Sequence, residues 1–244
     1  MLKNKFSQKA DLEAIILAGG LGTRLRPVVS DVPKPMAPVA DKPFLYHLIQ
    51  YVIKQGVTRV ILSIGYKGDV IIDYFNHNPC GIEISFAFET EPLGTGGAIV
   101  NGMQKCHGDS ILVLNGDTFF AMDYSAFIET YNKFTTPVSM ALRYLKQNKR
   151  YGQAVLQNGY IVKFESAGDN EPGWINAGIY LIRKNLFDGF DLPEKFSFEQ
   201  DFIEANIQKL NPVGHQSDAA FIDIGIPDDY QRAADFIKEV SRQS

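Results

Sequence analysis

Cysteine is nearly absent: 244 residues carry two, Cys80 and Cys106, with no CxxC pair. A disulfide framework is thereby excluded and a reducing, cytoplasmic setting is expected. No apolar run approaches the roughly 20 residues needed to cross a bilayer, so no membrane partner is expected. The opening residues, MLKNKFSQKAD, are basic and polar and lack the apolar segment of a signal peptide, so residues 1–12 read as a flexible extension. Repeats, low-complexity tracts and linkers are missing too, which leaves one domain over residues 1–244. A chain of that length can bury about three quarters of its unfolded surface in one core. The four histidines (His47, His77, His107, His215) show no ligand spacing, and no Ser/His/Asp or Cys/His constellation is apparent. Nothing therefore calls for a covalent intermediate. The net charge of -4 argues against a nucleic-acid partner, but the charge is uneven. Residues 1–42 hold seven Lys/Arg against four acids, a net +3, and the remainder carries -7. A small anion held locally suits that pattern better than a long phosphate backbone. The oligomeric state stays open, a homo-oligomer included.

What the chain does have is concentrated near its start. Residues 13–18 (EAIILA) are an apolar run of strand type, and Gly19, Gly20 and Gly22 follow where the chain must turn tightly with its amides exposed. Bare amides bind phosphate oxygens. Two better-known glycine loops fail on spacing. GxGxxG needs a third glycine where Leu25 stands, and GxxxxGK[ST] has no Lys-Ser/Thr pair here. The loop instead presents Arg24, with Lys34 ten residues later. Pro33 and Pro35 flank Lys34, and a residue before proline is pushed out of the helical region, so Lys34 should project from a stiff, extended segment. An arginine fork and a lysine point charge together can grip a polyphosphate and hold the charge that builds on a leaving pyrophosphate.

Further along, strand and helix patterns alternate. Residues 44–55 have helical apolar spacing, 59–64 read as a strand, and Asp69 can cap a short helix over 70–75. A strand at 82–88, a helix over about 95–106 and a strand at 110–114 follow. This βαβ order predicts an α/β fold, a Rossmann-like mixed, mostly parallel sheet with helices on both faces. Residues 137–145 and 174–182 read as strands, and 153–165 should fold back at Asn158-Gly159, a type I′ hairpin signal. Ser197 with Gln200 makes a capping box for a helix to about residue 210. The last strand, 219–224, precedes a terminal helix from Asp229. Ligands of open α/β sheets sit at the carboxyl ends of strands. Asp117, in LNGD, and Asp223, in FIDIG, occupy that position, where an acid is disfavoured unless a cation meets it.

GGxGTRLxP followed by PKPM is the signature of the sugar nucleotidylyltransferases, and the chain resembles that family from about residue 13 to residue 240. The resemblance implies a GT-A-like fold and two substrates, a nucleoside triphosphate and a sugar 1-phosphate. It assigns the nucleotide to Leu17, Ala18, Gly19, Gly20, Gly22, Thr23, Arg24 and Lys34. The base lies at Glu91 and Gly96 within EPLGTGGA, where Gly94, Gly96 and Gly97 leave room for a flat ring. Arg24, Lys34 and Asp117 become catalytic, and Asp117 with Asp223 hold Mg²⁺. The sugar phosphate falls to Tyr151, Gly152, Glu165, Asn176 and Lys163. At one place the sequence departs from the family. Relatives commonly carry a lysine where Ala167 stands, so Lys163 or Lys184 is expected to supply the cation. The implied reaction is direct transfer, in which the sugar phosphate attacks the α-phosphorus and pyrophosphate leaves, making a sugar donor for surface polysaccharide. The runs EPLGTGGA, LNGDTFF, FSFE and FIDIGIP are most similar to those of members that transfer GMP to a manno-configured heptose 1-phosphate. Members acting on mannose 1-phosphate come next, and uridylyl or cytidylyl transfer stays open. Two other classes compete. A glycosyltransferase would want the second acid of a DxD motif, which NGDTF lacks, and an inactive nucleotide-binding relative would not need Arg24, Lys34, Asp117 and Asp223 intact.

Overall fold

The computed structural model of the chain describes residues 12–20, 22, 25, 29, 31–166 and 170–243, the side chain of Gln243 excepted. The elements run β1 (Leu12–Leu17), a 3₁₀ turn (Lys34–Met36), β2 (Pro38–Val39), β3 (Lys42–Pro43), α1 (Phe44–Lys54), β4 (Val57–Ile64), α2 (Gly68–His77) and β5 (Glu83–Phe88). Next come α3 (Gly94–Met103), β6 (Ser110–Asn115), β7 (Thr118–Phe120), α4 (Tyr124–Lys133), β8 (Val138–Leu145), β9 (Gln153–Gln157) and β10 (Tyr160–Glu165). The chain closes with β11 (Gly173–Arg183), a π-helical turn (Phe198–Glu204), α5 (Ile207–Leu210), β12 (Val213–Ser217), β13 (Phe221–Asp223) and α6 (Pro227–Gln243).

Nine strands form one sheet in the order β5-β4-β1-β6-β11-β8-β12-β10-β9. The βαβ half is parallel throughout, β1 lying between β4 and β6. β11 then runs against both β6 and β8, and β10 against β12 and β9, so the sheet is mixed with these two strands opposing the rest. Strand period 2 divides the apolar side chains between two cores. Ala14, Ile16, Leu112 and Leu114 face one core, and Ile15, Ile111 and Val113 face the other. α1, α4 and α6 cover the first with Phe44, Leu48, Phe127 and Ile237; α3 and the π turn cover the second with Ile99, Phe198 and Phe202. Sealing a large apolar side chain in this way stabilises the fold by about 1.5–3 kcal/mol each. Helices on both faces leave the strand ends as the accessible rim, and there the site lies.

Several local expectations shift. Leu12, counted with the extension, is 5% exposed and opens β1. α2 begins at Gly68 after Lys67 in the left-handed region, which puts Asp69 inside the first turn rather than at its cap. Lys34 opens a 3₁₀ turn instead of an extended segment; Pro35 sits in that first turn, where proline needs no amide partner. Ser197 does cap, accepting from the Gln200 amide at 3.2 Å, but Asp201 rather than Gln200 returns to the Ser197 amide, at 2.7 Å. The helix expected there is split into the π turn and α5. Asn158 and Gly159 both have positive φ, 53° and 84°, as a type I′ turn requires.

Candidate active site

Asp117 and Asp223 lie more than a hundred residues apart in sequence, and a small ribbon joins them. β7 and β13 pair antiparallel outside the main sheet in the register Thr118↔Asp223, and the Ile224 amide donates to the Asp117 carbonyl at 3.0 Å. Asp117 follows β6 as expected. Asp223 is not at the end of a main-sheet strand; the short ribbon carries it over that rim. Gly116 permits the close approach, because a Cβ there would stand 2.6 Å from the Leu17 carbonyl oxygen.

One cation sits between the acids. Lys34 Nζ makes a short ion pair with Asp117 Oδ2 and lies 3.6 Å from Asp223 Oδ1, and the lysine side chain is only 8% exposed. Gly22, at φ +57°, backs this lysine: a Cβ on it would fall 2.8 Å from the Lys34 Cβ. Asp223 is held further by the Gly225 amide at 2.7 Å, Arg150 Nη2 at 2.7 Å and the Tyr151 hydroxyl at 3.1 Å. Burial, followed by the charge of Asp223, pushes the Tyr151 phenol above its ordinary range, so it stays a donor.

Two cavities meet at this cluster. One, of about 290 Å³, is lined by Leu17, Gly20, Gly22, Lys34, Thr95 and Gly225. The other, of about 350 Å³, takes its walls from Tyr151, Gly152, Asn176, Glu199, Gln200 and Asp223. Asn115 and Asp117 line both. A β-bulge in β11 between Asn176 and Tyr180 shapes the second; Gly178 within it, at φ +70°, leaves room for the Asn115 side chain. Glu199 ties the two sides together. It accepts from Thr95 Oγ1 at 2.6 Å and from the Tyr180 hydroxyl at 2.8 Å, and Tyr180 in turn accepts from Asn176 Nδ2 at 2.8 Å. Burial and the Glu199 charge raise the Tyr180 phenol far above its usual range.

Of the residues expected from sequence, the structure brings together Leu17, Gly20, Gly22, Lys34, Asp117, Tyr151, Gly152, Asn176 and Asp223. Thr23, Arg24 and Ala167 lie outside the described residues. Ala18 is buried, its amide on the Ser63 carbonyl, and Gly19 packs beside Glu89 and Gly65. Two expectations, Lys163 with Glu165 and Lys184, need correction. Lys163 and Glu165 pair with each other at 2.6 Å, both more than half exposed; on β10 it is Phe164 that faces the cavity, so alternation turns its neighbours away. Lys184 donates to the Cys106 carbonyl just before β6, at the opposite end of the sheet from Asp117, and cannot reach. Glu91 is exposed and lines neither cavity; the carboxylate beside the glycine turn is Glu89. Gly94, Gly96 and Gly97 are small for packing, since Cβ atoms there would fall 2.5, 2.1 and 2.3 Å from atoms of Phe196 and Glu194, and the Gly96 amide is bonded to the Phe196 carbonyl.

Sequence reading missed Arg150, Glu199 and Asn148. Arg150 directly precedes the Tyr151-Gly152 pair that was singled out, and Glu199 lies in the quoted FSFE run, so neighbouring signals existed. Asn148, 1% exposed, had none; it closes the loop by accepting from the Arg150 and Tyr151 amides at 3.2 and 2.9 Å.

The sequence profile of the nucleotidyl transferase family matches residues 13–240. A D-glycero-alpha-D-manno-heptose 1-phosphate guanylyltransferase from Aneurinibacillus thermoaerophilus is 46% identical over 222 residues, 91% of this chain and 96% of the relative. Its namesake from Campylobacter jejuni is 44% identical over 220 residues, 90% and 97% of the two chains. The crystal structure of HddC from Yersinia pseudotuberculosis, solved also in complex with GMP-PN, superposes with a TM-score of 0.82 at 38% identity, covering 92% of this chain and 98% of the other.

Proposed function

The chain belongs to the nucleotidyl transferase family, and from that premise we propose that it transfers GMP from GTP to D-glycero-α-D-manno-heptose 1-phosphate, releasing pyrophosphate and forming a GDP-sugar. The observation that carries the reading is the shared wall: two cavities meet at Asn115 and Asp117, so two phosphorylated substrates can face each other across one carboxylate cluster. The glycine-turn side, with Lys34, suits the triphosphate, and the Tyr151-Gly152 side suits the sugar. Holding both in line converts a bimolecular displacement into an effectively unimolecular one, which can contribute about 7–11 kcal/mol.

Direct attack is the step these walls support, because among the described residues no Cys, His or Ser lines either cavity. Lys34 would hold the phosphates as charge moves from the attacking oxygen to the leaving pyrophosphate, and Arg24 would take the departing end. The cluster also fits Mg²⁺. One ammonium already reaches the carboxylates of both Asp117 and Asp223, so their oxygens converge on a single cationic position. Magnesium takes one or two carboxylates and completes its shell with phosphate oxygens and water. When bound it would neutralise triphosphate charge. Competing base and sugar identities are separated by a matrix of the four nucleoside triphosphates against heptose, mannose and glucose 1-phosphates, read by pyrophosphate release. GTP with the manno-configured heptose should lead; equal or better turnover of UTP or dTTP with glucose 1-phosphate would remove the guanylyl assignment.

A further inference from the structure

Four carboxylates, those of Asp117, Glu199, Glu204 and Asp223, line the cavity on the Tyr151 side. A sugar 1-phosphate brings further negative charge into this acidic space, so its phosphate needs a cation of its own. Lys34 also belongs to the glycine-turn cavity, and Lys163 and Lys184 are tied up elsewhere. Arg150 remains. Its Nη1 is anchored on Asp229 at 3.0 Å and its Nη2 rests on Asp223 at 2.7 Å. The guanidinium lies over the Tyr151 ring, 4.9 Å from the centroid, and Asn148 fixes the loop beneath. The side chain is 26% exposed, so it is not sealed from solvent. A Cβ on Gly225 would stand 2.9 Å from Lys34 Nζ and 3.1 Å from Arg150 Nη2, so the two cations close on the same bare backbone.

We propose that Arg150 binds the phosphate of the sugar 1-phosphate. Asp229 holds the guanidinium by its Nη1 edge beside Asp223 and Tyr151 of the cavity wall, and the Nη2 edge leaves Asp223 for the incoming phosphate. A planar fork suits both tasks, since one edge can stay anchored while the other engages oxygen. Asp229 is then a positioning residue. The inference rests on the proposed function, because it needs a phosphorylated sugar in this cavity.

The test is steady-state kinetics of wild type, Arg150→Met, Arg150→Lys and Asp229→Asn with GTP and the heptose or mannose 1-phosphate, after melting curves establish that each is folded. Arg150→Met should raise KM for the sugar phosphate about 10- to 100-fold, the loss of a charge-assisted hydrogen bond, with the GTP KM within about twofold of wild type. Arg150→Lys should fall between, and Asp229→Asn should raise the same KM by less than Arg150→Met does. If Arg150→Met does not fold, Arg150→Lys decides, a wild-type sugar-phosphate KM overturning the proposal. An unchanged sugar-phosphate KM in Arg150→Met, an equal rise for GTP, or a higher Mg²⁺ requirement alone also overturns it, the last showing that Arg150 only braces Asp223. Wild type inert with every nucleotide and sugar phosphate would instead remove the proposed function, and the inference with it.

Discussion

Replacing Asp223 by Asn tests the carboxylate cluster at its best-connected member. The side chain is 13% exposed and both oxygens are used: Oδ1 by the Gly225 amide, Oδ2 by Arg150 and the Tyr151 hydroxyl. An amide in the same place must turn its NH₂ toward one of these donors, so at least one hydrogen bond becomes a donor-donor contact. Losing a bond of this kind costs about 1–3 kcal/mol, which for a chain of this size lowers the melting temperature by roughly 2–12 °C. The effect on chemistry should be larger. With half the proposed Mg²⁺ site gone, turnover should drop by about 10³-fold, near 4 kcal/mol of transition-state stabilisation. Asp117→Asn should cost a similar factor. Because both acids would serve one ion, the double substitution should cost far less than the product of the two singles. The assay is pyrophosphate release at saturating substrates and Mg²⁺, with melting curves alongside. Near-normal turnover of Asp223→Asn, or strict multiplication of the two effects, would mean that the acids act separately and that the shared-ion argument is wrong.

Glu13 offers a pH test away from the site. Burial pushes its carboxyl up, but hydrogen bonds from the Gly108 amide, Arg59 and the His107 amide outweigh that and hold it below its ordinary 4.5. A depressed folded value adds stability above the unfolded value and loses it as pH falls through the folded one. Glu13→Gln should therefore be less stable than wild type by about 1–3 kcal/mol at neutral pH, the gap closing below pH 4.5; a gap independent of pH in denaturant titrations would refute this. Gly22→Ala places a Cβ in left-handed backbone against Lys34, so about 1–2 kcal/mol of stability should be lost and the GTP KM should rise; melting and kinetics unchanged from wild type would detach the turn from the nucleotide. Arg24→Ala should slow turnover about 10²- to 10³-fold, because the contact strengthens as pyrophosphate departs, and a rise confined to the sugar-phosphate KM would assign Arg24 to the other substrate.

Sequence made the parallel half of the sheet legible because βαβ order and buried strands leave strong periodic signals. The glycine turn, Lys34 and LNGD could be placed at a strand end for the same reason. Asp223 was recognised as a partner of Asp117, but the ribbon that joins them was not, since three-residue strands carry no usable period. Strand alternation in β10 turns Lys163 and Glu165 outward around Phe164, a signal the sequence does carry. The glycines of EPLGTGGA show the limit of composition: a missing Cβ marks close approach, but only tertiary structure shows that Phe196 and Glu194 are what approaches on the Cβ side. Arg150 and Asn148 were illegible because their work is done across 73 residues, or within an irregular loop, where no repeat announces it.

Direct transfer is tested most directly by where the α-phosphorus of GTP goes. GTP labelled at that phosphorus, incubated with the sugar 1-phosphate, should deliver its label into the GDP-sugar. One pyrophosphate should appear for each label transferred, and the denatured protein should carry none at steady state. Label trapped covalently on the protein, or released as GMP or GDP without passing to the sugar, would contradict direct transfer at the junction of the two cavities.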